Sequence, residues 1–163
     1  MKRVKIFCSD ERNNDEESPL ARGLEKIDKL ERRRSGVTKK SVYQIADYGS
    51  ILTVLDDDET PGWRRRIKNT IVHIGANDGY AAVHLDCKMA KIMAAQGGAE
   101  YNLDFEMMLD QRAAVEFLKL VAEVSAECDI ENFETRIYLQ DHRDDTFAYL
   151  FNGEKFDRIA LPN

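Results

Sequence analysis

Hydrophobic side chains change their spacing several times along this chain, and each change marks an element. Residues 4 to 8, Val-Lys-Ile-Phe-Cys, alternate weakly and predict a short strand, after which a polar, acid-rich loop runs to Glu17. Leu20, Leu24, Ile27 and Leu30 recur at the spacing of one helix face. Ser18 stands as N-cap, Pro19 as the first helical residue and Gly36 as the stop, so a helix is predicted over residues 19 to 34. Residues 42 to 55 are rich in Val, Ile, Leu and Tyr and predict one or two strands, with a turn over residues 56 to 62.

The second half reads as a regular alternation. Residues 67 to 74 end in the β-branched run Ile71-Val72-His73-Ile74 and predict a buried strand, broken by Gly75-Ala76-Asn77-Asp78-Gly79. Ala82, Leu85, Met89, Ile92 and Met93 predict a helix over residues 80 to 96, stopped by Gly97-Gly98. Residues 101 to 109 alternate like a strand, Asp110 is placed to cap a helix over residues 111 to 127, and strands follow at residues 133 to 140 and 156 to 161. Strands joined through helices imply an α/β fold, a mostly parallel, Rossmann-like sheet with helices on both faces that binds ligands beyond the carboxyl ends of its strands. The competing reading treats Asp78-Gly79 as a hairpin turn, giving an α+β fold with an antiparallel sheet. In that reading His73, His84 and Asp86 share a face and offer two imidazoles and a carboxylate to a metal.

Composition narrows the class. The 163 residues are 43% hydrophobic and 33% charged, enough to build a globular core without disulfides or a structural metal. No uncharged apolar run approaches a bilayer span, and no secretory signal is evident, so a cytoplasmic protein is expected. Cys8, Cys87 and Cys128 are far apart and outside any C-x-x-C spacing, which argues against a disulfide framework or zinc ribbon, and no metal is expected. The net charge of −6 is uneven: residues 1 to 40 hold 12 Lys and Arg against 8 Asp and Glu, the remainder 12 against 22. Arg32-Arg33-Arg34, Lys39-Lys40 and Arg64-Arg65-Arg66 are the candidate contacts to nucleic-acid phosphates, with solvated helix faces as the alternative.

The stretch Ile71-Val72-His73-Ile74-Gly75-Ala76-Asn77-Asp78-Gly79-Tyr80 resembles the first motif of the class I S-adenosylmethionine-dependent methyltransferases. Leu103-Asp104, Tyr138 to Asp141 and the run from Glu154 to Asn163 are similar to that family's later motifs and follow in its order. The resemblance covers residues 67 to 163 as a cofactor-binding domain, apparently incomplete, preceded by an extension of residues 1 to 66 that carries the basic amphipathic helix. It implies S-adenosylmethionine as cofactor, held by His73, Gly75, Asn77, Gly79, Asp104 and Asp141, with Asn163 in the place of the residue that orients an acceptor amine. His73 stands where the family has an acidic residue. The expected function is methyl transfer, with nucleic acid as candidate acceptor and a protein partner as candidate completion of the site; the alternative is a non-catalytic, partner-binding or regulatory relative.

Two other groups stay outside this resemblance. Cys8-Ser9-Asp10-Glu11-Arg12 follows the first strand but lacks the spacing of a phosphatase loop. His142, within Asp141-His142-Arg143-Asp144-Asp145, reads as a solvated turn, and the aromatic residues around Asn152-Gly153 read as a packed hairpin or loop.

Overall fold

Six strands form one mixed sheet in a computed structural model that describes residues 2–36, 42–131 and 133–163. They are β1 (Lys2–Cys8), β2 (Val42–Asp47), β3 (Ala76–His84), β4 (Glu134–Gln140), β5 (Phe147–Phe151) and β6 (Phe156–Ala160), in the order β2-β1-β3-β4-β5-β6. The first four lie parallel; β5 and β6 close the edge as an antiparallel hairpin turned by Asn152-Gly153. The helices are α1 (Pro19–Ser35), α2 (Thr60–Asn69), α3 (Lys88–Gln96) and α4 (Leu103–Glu127). The α/β class therefore stands, with a mixed sheet whose parallel part is joined through helical segments.

Helix α1 starts and stops where its caps predict. The Ser18 side chain accepts from the Leu20 amide at 3.1 Å, and Gly36 ends the helix in the left-handed conformation. Its inner face meets one face of the sheet through charge as well as apolar contact. Glu31, fully buried, receives the Arg136 guanidinium at 2.7 Å and the Arg3 guanidinium at 3.1 Å, and Asp28 receives Lys5 at 2.7 Å. The opposite face of the sheet carries Val4, Ile6, Ala81, Val83, Ile137 and Leu139 against Trp63 of α2 and Phe117 of α4, whose rings meet edge-on at 5.6 Å.

Three segments differ from the pattern read in the sequence. Residues 67 to 74 are helical: α2 runs on through a wider turn over Thr70–Ile74 until Gly75 stops it at φ 69°. Trp63, Ile67 and Ile71 form one buried stripe at helical spacing, and that stripe overrides the local strand preference of the β-branched run. Residues 76 to 84 form a central strand rather than a helix, because parallel neighbours on both sides bury it from Gly79 to His84 and its sequence is continuously apolar instead of alternating. The hairpin alternative fails as well: β3 pairs in parallel with β1 and β4, and residues 71 to 74 make no strand. Residues 103 to 109 open α4 instead of forming a strand, since Asn102 caps the Phe105 amide at 2.8 Å and Glu106, Leu109, Asp110 and Ala113 are buried at helical spacing.

Candidate metal centre

Parallel strands bring residues distant in sequence to the same edge. Cys8 ends β1 and His84 ends the neighbouring β3, while Cys87 follows in the turn that opens α3. All three are buried, and their ligating atoms lie within 4.8 Å of one another. The Nδ1 atom of His84 is 2.9 Å from the Leu85 carbonyl, to which it donates as the protonated nitrogen, and this leaves Nε2 as the free lone pair. Nε2 is buried and has no hydrogen-bond partner among the described residues. Two thiol sulfurs and one imidazole nitrogen converging on a point, with that nitrogen unsatisfied, are a donor set that suits zinc with a fourth position open.

The electrostatics favour a cation here. The hydrogen bond with Cys87 lowers the Cys8 pKa against the opposing effect of burial, helped by His84 and by the Gly49 amide, which donates to the Cys8 sulfur at 3.3 Å. Cys87 is pushed the other way by that same hydrogen bond and by burial. Burial works against protonation of His84, but the neighbouring Cys8 and the Asp10 charge lift its pKa overall. A site that draws a proton onto its imidazole and stabilises a thiolate is one in which a divalent metal replaces protons.

Asp10 borders the cluster, its Oδ2 3.8 Å from His84 Nε2. Arg12 grips both of its oxygens, at 3.0 Å through Nε and 2.8 Å through Nη2, and holds the carboxyl well below the usual carboxylate range. The same guanidinium reaches the Asp86 carboxylate at 3.0 Å and the Asp86 carbonyl at 2.9 Å. Asp86 sits at φ 60°, a left-handed conformation in the turn between His84 and Cys87. From the inner side, Glu106 of α4 accepts the Asp86 amide at 2.7 Å, the Cys87 amide at 2.8 Å and the Tyr101 hydroxyl.

Solved structures of similar fold are known. They include the β-carbonic anhydrase CafA of the fungal pathogen Aspergillus fumigatus, at TM-score 0.55 and 14% identity, with 93% of this chain and 76% of that one covered. The β-carbonic anhydrase CcaA matches at TM-score 0.54 and 12% identity over 99% of this chain and 78% of that one. CafD of Aspergillus fumigatus matches at TM-score 0.52 and 12% identity over 86% and 84%. The fold is β-carbonic-anhydrase-like. No protein-family model and no curated protein matches the chain in sequence.

This overturns the methyltransferase resemblance, and with it S-adenosylmethionine as cofactor and methyl transfer as activity. The residues that carried the resemblance are not gathered into one crevice. His73 and Gly75 lie in the turn that ends α2, and Asn77 and Gly79 lie early in β3, at the sheet edge opposite the one where Asp141 follows β4. Gly79 has a packing role: a Cβ there would stand 2.6 Å from Val4 Cγ1 and 3.2 Å from the Val4 carbonyl, so its lack of a side chain lets β1 and β3 close. Asp104 is exposed in the first turn of α4, Asp141 is tied to Arg143 at 2.9 Å, and Asn163 is the exposed terminal residue.

Of the basic groups, Arg34 pairs with Glu134, Arg64 with Glu123 and Glu127, and Arg66 with Asp47. Arg32 and Arg33 lie in the last turn of α1, Arg65 is exposed on α2, and Lys39-Lys40 lies outside the described residues. No helix among the described residues is long and apolar enough to cross a membrane. Against the expectation of no metal, Cys8, His84 and Cys87 come together as a group that could hold one. His84-Leu85-Asp86-Cys87 is itself a ligand-like spacing, and Cys8-Ser9-Asp10-Glu11-Arg12 carries both a candidate ligand and its neighbouring ion pair. These were the readable signals, hidden by placing residues 80 to 87 on a helix.

Proposed function

We propose that this chain is a zinc enzyme that hydrates carbon dioxide to bicarbonate. The observation that carries this reading is the convergence of Cys8, His84 and Cys87 at the carboxyl ends of β1 and β3, beside an aspartate locked by an arginine. The similarity in fold to β-carbonic anhydrases supports it.

Cys8, Cys87 and His84 Nε2 would hold the ion. When bound, zinc supplies Lewis acidity that makes water a usable nucleophile near neutral pH. The Leu85 carbonyl fixes the His84 tautomer and ring orientation. Asp10, kept ionised by Arg12, is an acceptor only and lies 3.8 Å from His84 Nε2, where it would take a hydrogen bond from a water at the site and so orient it. Arg12 supplies the register: one guanidinium spans Asp10 and Asp86 and so fixes the first ligand loop against the second.

Purified protein should carry one zinc per chain by elemental analysis and accelerate the acidification of CO2 solutions in a stopped-flow indicator assay. Cys87→Ser should lose both. Protein that is folded and zinc-free after purification with added zinc, or zinc-loaded but inert toward CO2, would overturn the proposal.

A further inference from the structure

The turn carrying two of the three ligands is held by a group with no place in the chemistry above. Glu106 is fully buried, one helical turn after the Asn102 cap, and its two oxygens receive three donors. Oε1 takes the Cys87 amide at 2.8 Å; Oε2 takes the Asp86 amide at 2.7 Å and the Tyr101 hydroxyl. A buried carboxylate is tolerated when its lone pairs are filled in this way and when it sits in the first turn of a helix, whose free N–H groups favour negative charge. Two consecutive amides can aim at one carboxylate only if the backbone between them bends sharply, and Asp86 supplies the bend at φ 60°. A non-glycine residue in that conformation persists where its surroundings over-determine it. Here the surroundings are Glu106 on the inner side and Arg12 and Lys91 on the Asp86 carboxylate outside.

We infer that Glu106 is the positioning residue of the metal centre: it clamps the Asp86 and Cys87 amides so that the Cys87 sulfur meets His84 Nε2 and the Cys8 sulfur at binding distance. This rests on the zinc reading proposed above. Asp110, one turn further along α4, cannot take over. It is fully buried, neither of its oxygens has a hydrogen-bond partner among the described residues, and burial raises its pKa well above the usual carboxylate range. Of the two, Glu106 is the one that reaches the turn, through the Asp86 and Cys87 amides.

The test is Glu106→Gln, which keeps shape and burial but turns an NH2 group toward one of the two amides. Zinc affinity, measured by competition with a chromophoric chelator, should fall roughly 10- to 100-fold, the range found when groups supporting metal ligands are removed. The thiolate-to-metal absorption of the cobalt-substituted protein should shift as well. A core variant, Phe117→Leu, serves as control: it should lower thermal stability yet leave the zinc dissociation constant within about twofold and the cobalt spectrum unchanged, because it loosens packing and not the turn. If Glu106→Gln does not fold, Tyr101→Phe removes one of the three donors from outside the core and should weaken zinc binding several-fold. Wild-type affinity and an unshifted cobalt spectrum in the folded Glu106→Gln protein, or in Tyr101→Phe where that variant is the one read, would overturn the role of Glu106. Failure of the wild-type chain itself to bind zinc would overturn the zinc reading and this inference together, so the two failures are told apart by the wild-type control.

Discussion

Replacing Glu31 by leucine should destabilise the protein at the end of the sheet opposite Cys8, His84 and Cys87. In the native state Arg3, Arg136, Glu31 and Asp78 form a balanced cluster of two cations and two carboxylates between α1 and the amino-terminal halves of β1, β3 and β4. Glu31 takes Arg136 at 2.7 Å through Nη2 and at 2.8 Å through Nε, Arg3 at 3.1 Å, and the Tyr138 hydroxyl. Leucine takes the fully buried carboxylate away from both guanidinium groups, leaving Arg3 on Asp78 and Arg136 on Asp78 and the exposed Glu134. Breaking a buried ion cluster by removing one partner costs about 3–5 kcal/mol. For a domain of this size each kcal/mol lowers the melting temperature by roughly 2–4 °C, which gives a drop of about 6–20 °C.

The triple variant Glu31→Leu, Arg136→Leu, Tyr138→Phe restores balance, since Arg3 and Asp78 remain as a neutral pair and no hydroxyl is stranded. It should recover most of the loss, because replacing a buried ion pair by apolar groups is often neutral or stabilising by about 1–4 kcal/mol. Urea unfolding followed by circular dichroism reads both, at fixed zinc, since a bound ligand shifts apparent stability. Zinc affinity below the transition should be unchanged in both variants. A single substitution costing under about 1 kcal/mol, or a triple variant as unstable as the sum of its parts, would refute the account of the cluster as mutually dependent charges.

The remaining predictions concern the site and its support. Arg12→Leu releases Asp10 from both of its guanidinium contacts, so the Asp10 pKa should rise toward ordinary values near 4 and the acid limb of the CO2 hydration profile should move upward in pH; kcat/KM near neutrality should fall about 10²-fold or more, on the scale of a lost proton-handling group, and unchanged kinetics would remove the pair from the mechanism. Asp110 is raised by burial first and then by Glu106 and Cys8, so its ionisation opposes folding as pH climbs above the unfolded carboxyl pKa. Asp110→Asn should therefore match wild-type stability near pH 4 and exceed it increasingly toward neutral pH, and a constant offset at all pH values would contradict this sign. Gly79→Ala should cost about 1–3 kcal/mol by overpacking β1 against β3, measured by thermal denaturation, and a neutral result would mean Val4 can move aside.

Several elements were legible without the structure because their signals are local. Ser18, Pro19 and Gly36 bracket α1 as their capping chemistry requires, residues 133 to 140 alternate and form β4, and Asn152-Gly153 turns a hairpin. The segments that mislead do so for one reason: the environment, not the residue itself, decides. Ile71-Val72-His73-Ile74 follows Trp63 and Ile67 around a helix, and residues 76 to 84 are buried by strands on both sides, so their apolar run mimics a helix face.

The sequence alone determined an α/β domain with a charged first helix, through capping residues and short-range periodicity. Which side chains meet at the carboxyl ends of β1 and β3, only the tertiary structure decided. Cys8 and His84 become neighbours because β1 and β3 pair in parallel at a register set by Gly79 against Val4, and Cys87 joins them because Glu106, from a helix later in the chain, bends the turn at Asp86. Long-range pairing of that kind leaves no periodic trace in the chain, whereas a glycine-rich run leaves a conspicuous one even where it serves only to let two strands touch.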